Sequence, residues 1–119
     1  MTDDGGRRDR ILSTWADDLD RKGFSDIKVE MEGYPSRPEG FEHVPDIVAI
    51  RKDGRRFVGI LWTAETLNDG KEMFTRLMSY AYHGDVVMLL VPFDRLDEAE
   101  TLMAEWGLAT EMFVQGYFE

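Results

Sequence analysis

The sequence predicts an α/β protein with a five-stranded mixed sheet between helices, a three-layer α/β/α arrangement with the element order αβββαβαβ. Three observations carry this prediction. Apolar residues recur at helical spacing in three segments, short segments with strand periodicity lie between them, and an uninterrupted apolar run of strand length precedes the third helical segment. A length of 119 residues leaves room for one domain. We expect that domain over residues 8–119, after a flexible segment of residues 1–7.

The first half of the chain is expected to hold one helix and three strands. The helical segment is amphipathic, with charged residues between its apolar positions, and Gly23 supplies a left-handed stop. Residues 33–40 contain two prolines and two glycines and are expected to form a loop, whereas the Asp53-Gly54 pair suits a tight hairpin. The predicted elements are a helix around Ile11–Leu19 and strands over Asp26–Glu32, Asp46–Arg51 and Arg56–Thr63.

The second half is expected to alternate helix and strand. Asn and Asp side chains are good helix caps, and glycines follow both apolar stripes. The apolar run between the two helices is typical of a strand that is covered on both faces, as in the middle of a sheet. The predicted elements are a helix from Asn68 or Asp69 to Gly84, a strand over Asp85–Val91, a helix from Asp94 to Gly107, and a strand over Thr110–Phe118.

Acidic side chains outnumber basic ones by 24 to 14, which gives a net charge of −10 and a pI of about 4.6. The electrostatic field of this negative charge repels polyphosphate. It disfavours broad nucleic-acid binding, because the affinity of proteins for nucleic acids comes largely from Lys and Arg releasing counterions. Most of the bases are Arg, and the acids include thirteen Asp. This balance is typical of proteins that stay hydrated in strong salt, so we expect a salt-loving or GC-rich source organism.

Several classes of protein are excluded by composition. The chain has no cysteine, so it has no disulfide framework, no thiolate nucleophile and no Cys-based metal site. No apolar run approaches the roughly 20 residues of a membrane span, and the acidic first residues do not resemble a signal peptide. Neither a phosphate-binding glycine loop nor a serine triad is recognisable. We expect a cytoplasmic protein without a membrane partner. We expect no cofactor, except for Mg²⁺ if the chain is an active nuclease.

Two local patterns resemble a known family. Pro45-Asp46 precedes an apolar strand, and the strand over Arg56–Thr63 follows a tight turn. Together with the element order, these patterns make nearly the whole chain similar to the PD-(D/E)xK nuclease superfamily, the fold of restriction endonucleases and archaeal Holliday-junction resolvases. The resemblance implies two carboxylates that hold Mg²⁺ beside the scissile phosphate, and a lysine that orients or deprotonates the attacking water.

The catalytic pattern of that family is incomplete in this sequence. Pro45-Asp46 matches the first acid, which makes Asp46 the candidate metal ligand. The second acid and the lysine fall on Ile60 and Trp62, neither of which binds a cation or moves a proton. The sequence therefore predicts a degenerate, non-catalytic domain that serves as a binding, accessory or oligomerising unit in nucleic-acid processing.

Two other functions remain open from the sequence. In the first, the chain is a Mg²⁺-dependent nuclease whose active-site residues have migrated. The candidate residues for that site are Asp46, Glu30, Glu65 and Lys52, with Lys71 as a further lysine. In the second, the chain is an acidic protein-interaction module, such as a DNA mimic that occupies a basic cleft. The expected partners are an unidentified protein or a second copy, bound through the terminal strand or an exposed aromatic patch.

Overall fold

A computed structural model describes residues 4–41, 43–62, 70–83, 85–108 and 112–117. It confirms the α/β class and the predicted order of helices and strands. The sequence predicts one domain, and the structure divides the chain into two compact units, Met1–Phe57 and Val58–Glu119.

The described residues contain three α-helices and five strands. They are α1 (Asp4–Arg21), β1 (Ser25–Val29), β2 (Ile47–Ile50), β3 (Arg56–Leu61), α2 (Gly70–Tyr82), β4 (Val86–Pro92), α3 (Leu96–Glu105) and β5 (Met112–Tyr117). The strands form one sheet in the order β1-β2-β3-β4-β5. Because β1 and β2 are antiparallel while β4 and β5 are parallel, the sheet is mixed, as predicted. None of the described helices has the length and apolar character that a membrane crossing requires.

In the first unit, α1 packs its apolar stripe against β1 and β2. The buried residues of this stripe are Leu12, Trp15, Ala16 and Leu19. The helix ends at the predicted glycine, since Gly23 has a φ of 89° and the Phe24 N–H donates to the Leu19 carbonyl at 3.0 Å. It begins at Asp4, earlier than predicted, because an apolar stripe marks only the buried part of a helix.

The strand β1 is shorter than the alternating pattern predicts. The Met31 N–H donates to the Val29 carbonyl at 2.9 Å, and the Tyr34 N–H donates to the Met31 carbonyl at 3.2 Å. These bonds turn the chain just after Val29, although the alternation of residue types continues to Glu32. The register between β1 and β2 also shifts between Ser25 and Lys28, at a β-bulge.

The predicted hairpin between β2 and β3 is confirmed. The Arg51 N–H donates to the Arg55 carbonyl at 2.9 Å, and the Gly54 N–H donates to the Arg51 carbonyl at the same distance. The Asp53 carboxylate accepts the Arg55 N–H at 3.0 Å, and Gly54 takes a φ of 86°. Asp and Gly therefore have the roles in this turn that their conformational preferences predict.

In the second unit, α3 connects the parallel strands β4 and β5, which pair over six residues from Val87↔Met112 to Pro92↔Tyr117. Side chains on both faces of β4 are buried, which confirms the prediction of a covered strand. A 3₁₀ turn at Phe93–Arg95 precedes α3, and in that turn Arg95 donates to Glu98 at 2.6 and 2.9 Å. This hydrogen bonding lowers the pKa of Glu98.

The aromatic core of the second unit is built around Trp62. Its ring stacks on Trp106, with ring centroids 6.1 Å apart, and Trp106 contacts Phe74 of α2 edge-on at 5.5 Å. The main-chain N–H of Trp62 donates to the Leu90 carbonyl at 2.8 Å. The predicted helix caps Asn68 and Asp69, and the glycine Gly84, lie outside the described residues.

Candidate functional site

Asp46 lies immediately before β2 and is held by an arginine from α1. Its Oδ1 accepts a hydrogen bond from Nη2 of Arg8 at 2.7 Å. The Asp46 side chain is 17% exposed and that of Arg8 is 34% exposed, so this ion pair is partly shielded from water. Arg8 is placed for this contact because it lies four residues before Leu12, on the same side of the helix. One carboxylate oxygen of Asp46 is thereby engaged by a permanent cation.

Glu30 lies beside Asp46, immediately after β1. The Glu30 N–H donates to the Asp46 carbonyl at 2.9 Å, which extends the antiparallel pairing by one residue beyond Val29↔Ile47. The Glu30 carboxylate is 3.6 Å from the Arg37 guanidinium. Of the predicted acids, the structure therefore brings Asp46 and Glu30 together and places an arginine against each.

This arrangement favours a structural role for the two acids. A Mg²⁺ site needs several oxygen ligands that converge on one point. Among the described residues, no group of three or more His, Asp and Glu side chains is placed to hold a metal ion. A cation at Asp46 would also compete with the guanidinium of Arg8. The Arg8–Asp46 ion pair anchors the first turns of α1 to the start of β2.

The other candidates are not brought to Asp46 by the described structure. Lys52 lies in the hairpin at the opposite end of β2, and the strand between them spans roughly 13 Å. Its side chain packs against the backbone at Gly23, where an added Cβ would overlap the Lys52 Cε. Glu65 lies outside the described residues, as does the side chain of Lys71.

Ile60 and Trp62, the residues at the acid and lysine positions, are both 0% exposed. They belong to the core of the second unit, where Trp62 contacts Trp106. The indole Nε1 of Trp62 has no acceptor in the described structure. These two positions are filled by apolar packing, which leaves no polar side chain there for cation or proton chemistry.

The arginines of the site were not found from the sequence. Arg8 is 38 residues away from Asp46, and nothing in the local pattern connects them. The available signal is the spacing of Arg8 from the apolar stripe of α1, which places a charged residue on the buried side of a helix. Arg37 lies in the loop after β1, where local periodicity gives no information about side-chain partners.

The charge is divided unequally between the two units. Residues 1–57 contain 11 basic and 13 acidic side chains, whereas residues 58–119 contain 3 basic and 11 acidic ones. Most of the net charge of −10 therefore comes from the second unit. The −10 total conceals a first unit that is nearly neutral.

Removing either partner of the Arg8–Asp46 pair is expected to destabilise the protein. We expect Arg8→Ala or Asp46→Asn to lower the free energy of unfolding by about 1–2 kcal/mol, discounted for the solvent exposure of Arg8. The double variant should lower the free energy of unfolding by less than the sum of the two single variants, and urea titrations measure this difference as a coupling energy. The more exposed Arg21–Asp18 pair is the matched control, with a coupling of about 0.5 kcal/mol or less. Equal coupling energies for the two pairs would contradict the anchoring role.

Comparison of the chain with known protein families, with curated proteins and with solved structures gives no match. The resemblance to the PD-(D/E)xK superfamily therefore depends on Pro45-Asp46, on the strand that follows the tight turn at Asp53-Gly54, and on the element order.

Proposed function

We propose that this chain is a PD-(D/E)xK-like domain with a restriction endonuclease-like, three-layer arrangement that does not cleave nucleic acid and acts by binding or oligomerisation. The observation that carries the proposal is the complete burial of Ile60 and Trp62, which occupy the positions of the second acid and the lysine. An active site needs these positions to be polar and accessible to water and a phosphate. Apolar packing removes both properties.

The surroundings of Asp46 support the same proposal. Its carboxylate is paired with Arg8, and its neighbour Glu30 lies near Arg37. Lys52, the candidate lysine in the same unit, lies at the far end of β2. A migrated active site would have to be completed by residues beyond these candidates.

Nuclease assays with Mg²⁺ or Mn²⁺ are expected to give no cleavage of supercoiled, linear, single-stranded or four-way-junction DNA, at either low or molar salt. Calorimetric titration with the same cations should give no saturable heat. The matched variants are Asp46→Ala and Asp53→Ala, since Asp53 is a hairpin acid outside the candidate site. Cleavage that Asp46→Ala abolishes and Asp53→Ala retains would overturn the proposal in favour of a migrated nuclease.

A further inference from the structure

The strand β5 lies at one end of the sheet, and its described residues carry no charge, proline or bulge of the kind that usually protects a sheet edge. Its sequence, Met112–Tyr117, contains no charged residue and no proline. Its pairing with β4 is continuous over six residues, without a bulge. Edge strands present main-chain groups that can pair with another strand, and natural proteins commonly block them with charges, prolines or bulges.

The strand at the other end of the sheet provides a contrast. β1 has five residues, a bulge between Ser25 and Lys28, and two charged side chains, Asp26 and Lys28. Asp26 also has a φ of 52°, in the left-handed region. The charged side chains, the bulge and the left-handed residue protect β1 against pairing, and the described residues of β5 have none of these features.

The side chains along β5 add exposed apolar surface to this edge. Phe113 is 58% exposed, and its pairing partner on β4 is the half-buried Met88. Phe93, which is 53% exposed, lies close to Gly116, where an added Cβ would be 2.9 Å from the Phe93 ring. Residues 113 and 116 point to opposite faces of a strand, so the two rings expose apolar surface on both sides of this edge.

Charge indicates which partner this edge accepts. The unit that contains β5 carries 11 acidic and 3 basic side chains, so two copies of the chain repel each other over most of this unit. A strand without charge is a place where like-charged copies can approach closely. A basic partner would instead bind the acidic surface, because its electrostatic attraction is stronger there than at an uncharged strand.

We propose that β5 pairs antiparallel with β5 of a second copy, which forms a homodimer with a sheet continuous across both chains. A two-fold axis perpendicular to the sheet keeps the faces of the two strands aligned and passes through one pair of identical residues. In a six-residue strand the central residues are Val114 and Gln115. The proposal rests on the binding or oligomerising role proposed above and specifies its partner. Its tests measure association alone, so their failure is distinguishable from the detection of nuclease activity.

Site-directed disulfide formation tests the pairing directly, because the chain has no cysteine of its own. Opposed residues in antiparallel strands have Cα atoms about 4.5–5.5 Å apart, within the range that a disulfide spans. Under mild oxidation, Gln115→Cys or Val114→Cys is expected to give a covalent dimer, depending on which residue lies on the axis. The control is Tyr82→Cys, because Tyr82 is 88% exposed on α2. No link from either strand position, or equal linking by the control, would overturn the proposal.

Sedimentation equilibrium tests the energetics of the same contact. Phe113→Glu places like charges next to the two-fold axis and is expected to weaken self-association at least about tenfold. The matched Tyr82→Glu variant adds the same charge elsewhere in the unit and is expected to change it by less than about threefold. Association of the unmodified chain should strengthen between about 0.1 and 1 M salt, because screening reduces the repulsion between acidic copies. A monomer at all concentrations, or a dimer that salt weakens, would contradict the proposal.

Discussion

The double variant Ile60→Glu/Trp62→Lys, which places the acid and lysine of the PD-(D/E)xK pattern at these positions, is expected to lose its cooperative unfolding transition and to remain inactive. Both replaced side chains are completely buried. Placing a charge in such surroundings costs several kcal/mol per ion, even when two opposite charges lie close together. The combined cost is comparable with the total stability of a typical domain, about 5–15 kcal/mol.

The matched control places the same two charges on exposed apolar residues of the same unit. Met78 and Tyr82 are 42% and 88% exposed on α2, and they are four residues apart. Met78→Glu/Tyr82→Lys therefore creates a favourable Glu-to-Lys pair on a helix surface and should change stability by less than about 1 kcal/mol. Circular dichroism during urea titration measures both variants. A folded Ile60→Glu/Trp62→Lys protein that cleaves DNA with Mg²⁺ would show that these positions still form an active site.

The fold was predictable where local residue patterns determine backbone conformation. Gly23 and the Asp53-Gly54 pair have the conformations that their positions in the sequence predict. Two element bounds differ from the prediction, for different reasons. Hydrogen bonds in the turn at Met31 end β1 before its alternating residues end. The first turns of α1 contain too few apolar residues to be recognised as helix.

The candidate site was less predictable, because its contacts join residues that are distant in sequence. The position of Asp46 at the start of β2 follows from the Pro-Asp pattern, but its partner Arg8 comes from a helix 38 residues earlier. Lys52 has the same strand parity as Asp46, but parity does not distinguish one end of a strand from the other. The sequence alone predicts that Ile60 and Trp62 neither bind a cation nor move a proton, because their residue types exclude this chemistry.

Trp62→Ala is expected to lower the free energy of unfolding by about 3–5 kcal/mol, because it leaves a large cavity in the core. Trp62→Phe is expected to lower the free energy of unfolding by less than about 1 kcal/mol. Phenylalanine keeps an aromatic ring next to Trp106 and removes the buried Nε1–H, which has no acceptor in the described structure. Leaving such a donor unpaired costs about 1–3 kcal/mol, which offsets most of the packing that the smaller ring loses.

Trp15→Phe is the control for the loss of ring size. Trp15 is also buried and contacts an aromatic ring, that of Phe57, edge-on at 6.1 Å, but its indole nitrogen is not a buried unpaired donor. We therefore expect Trp15→Phe to cost more than Trp62→Phe in urea titrations. The indole N–H resonance that disappears in Trp62→Phe should also exchange slowly with solvent, because the side chain is completely buried. Equal destabilisation by Trp62→Phe and Trp15→Phe would contradict the unpaired state of the buried Trp62 Nε1–H.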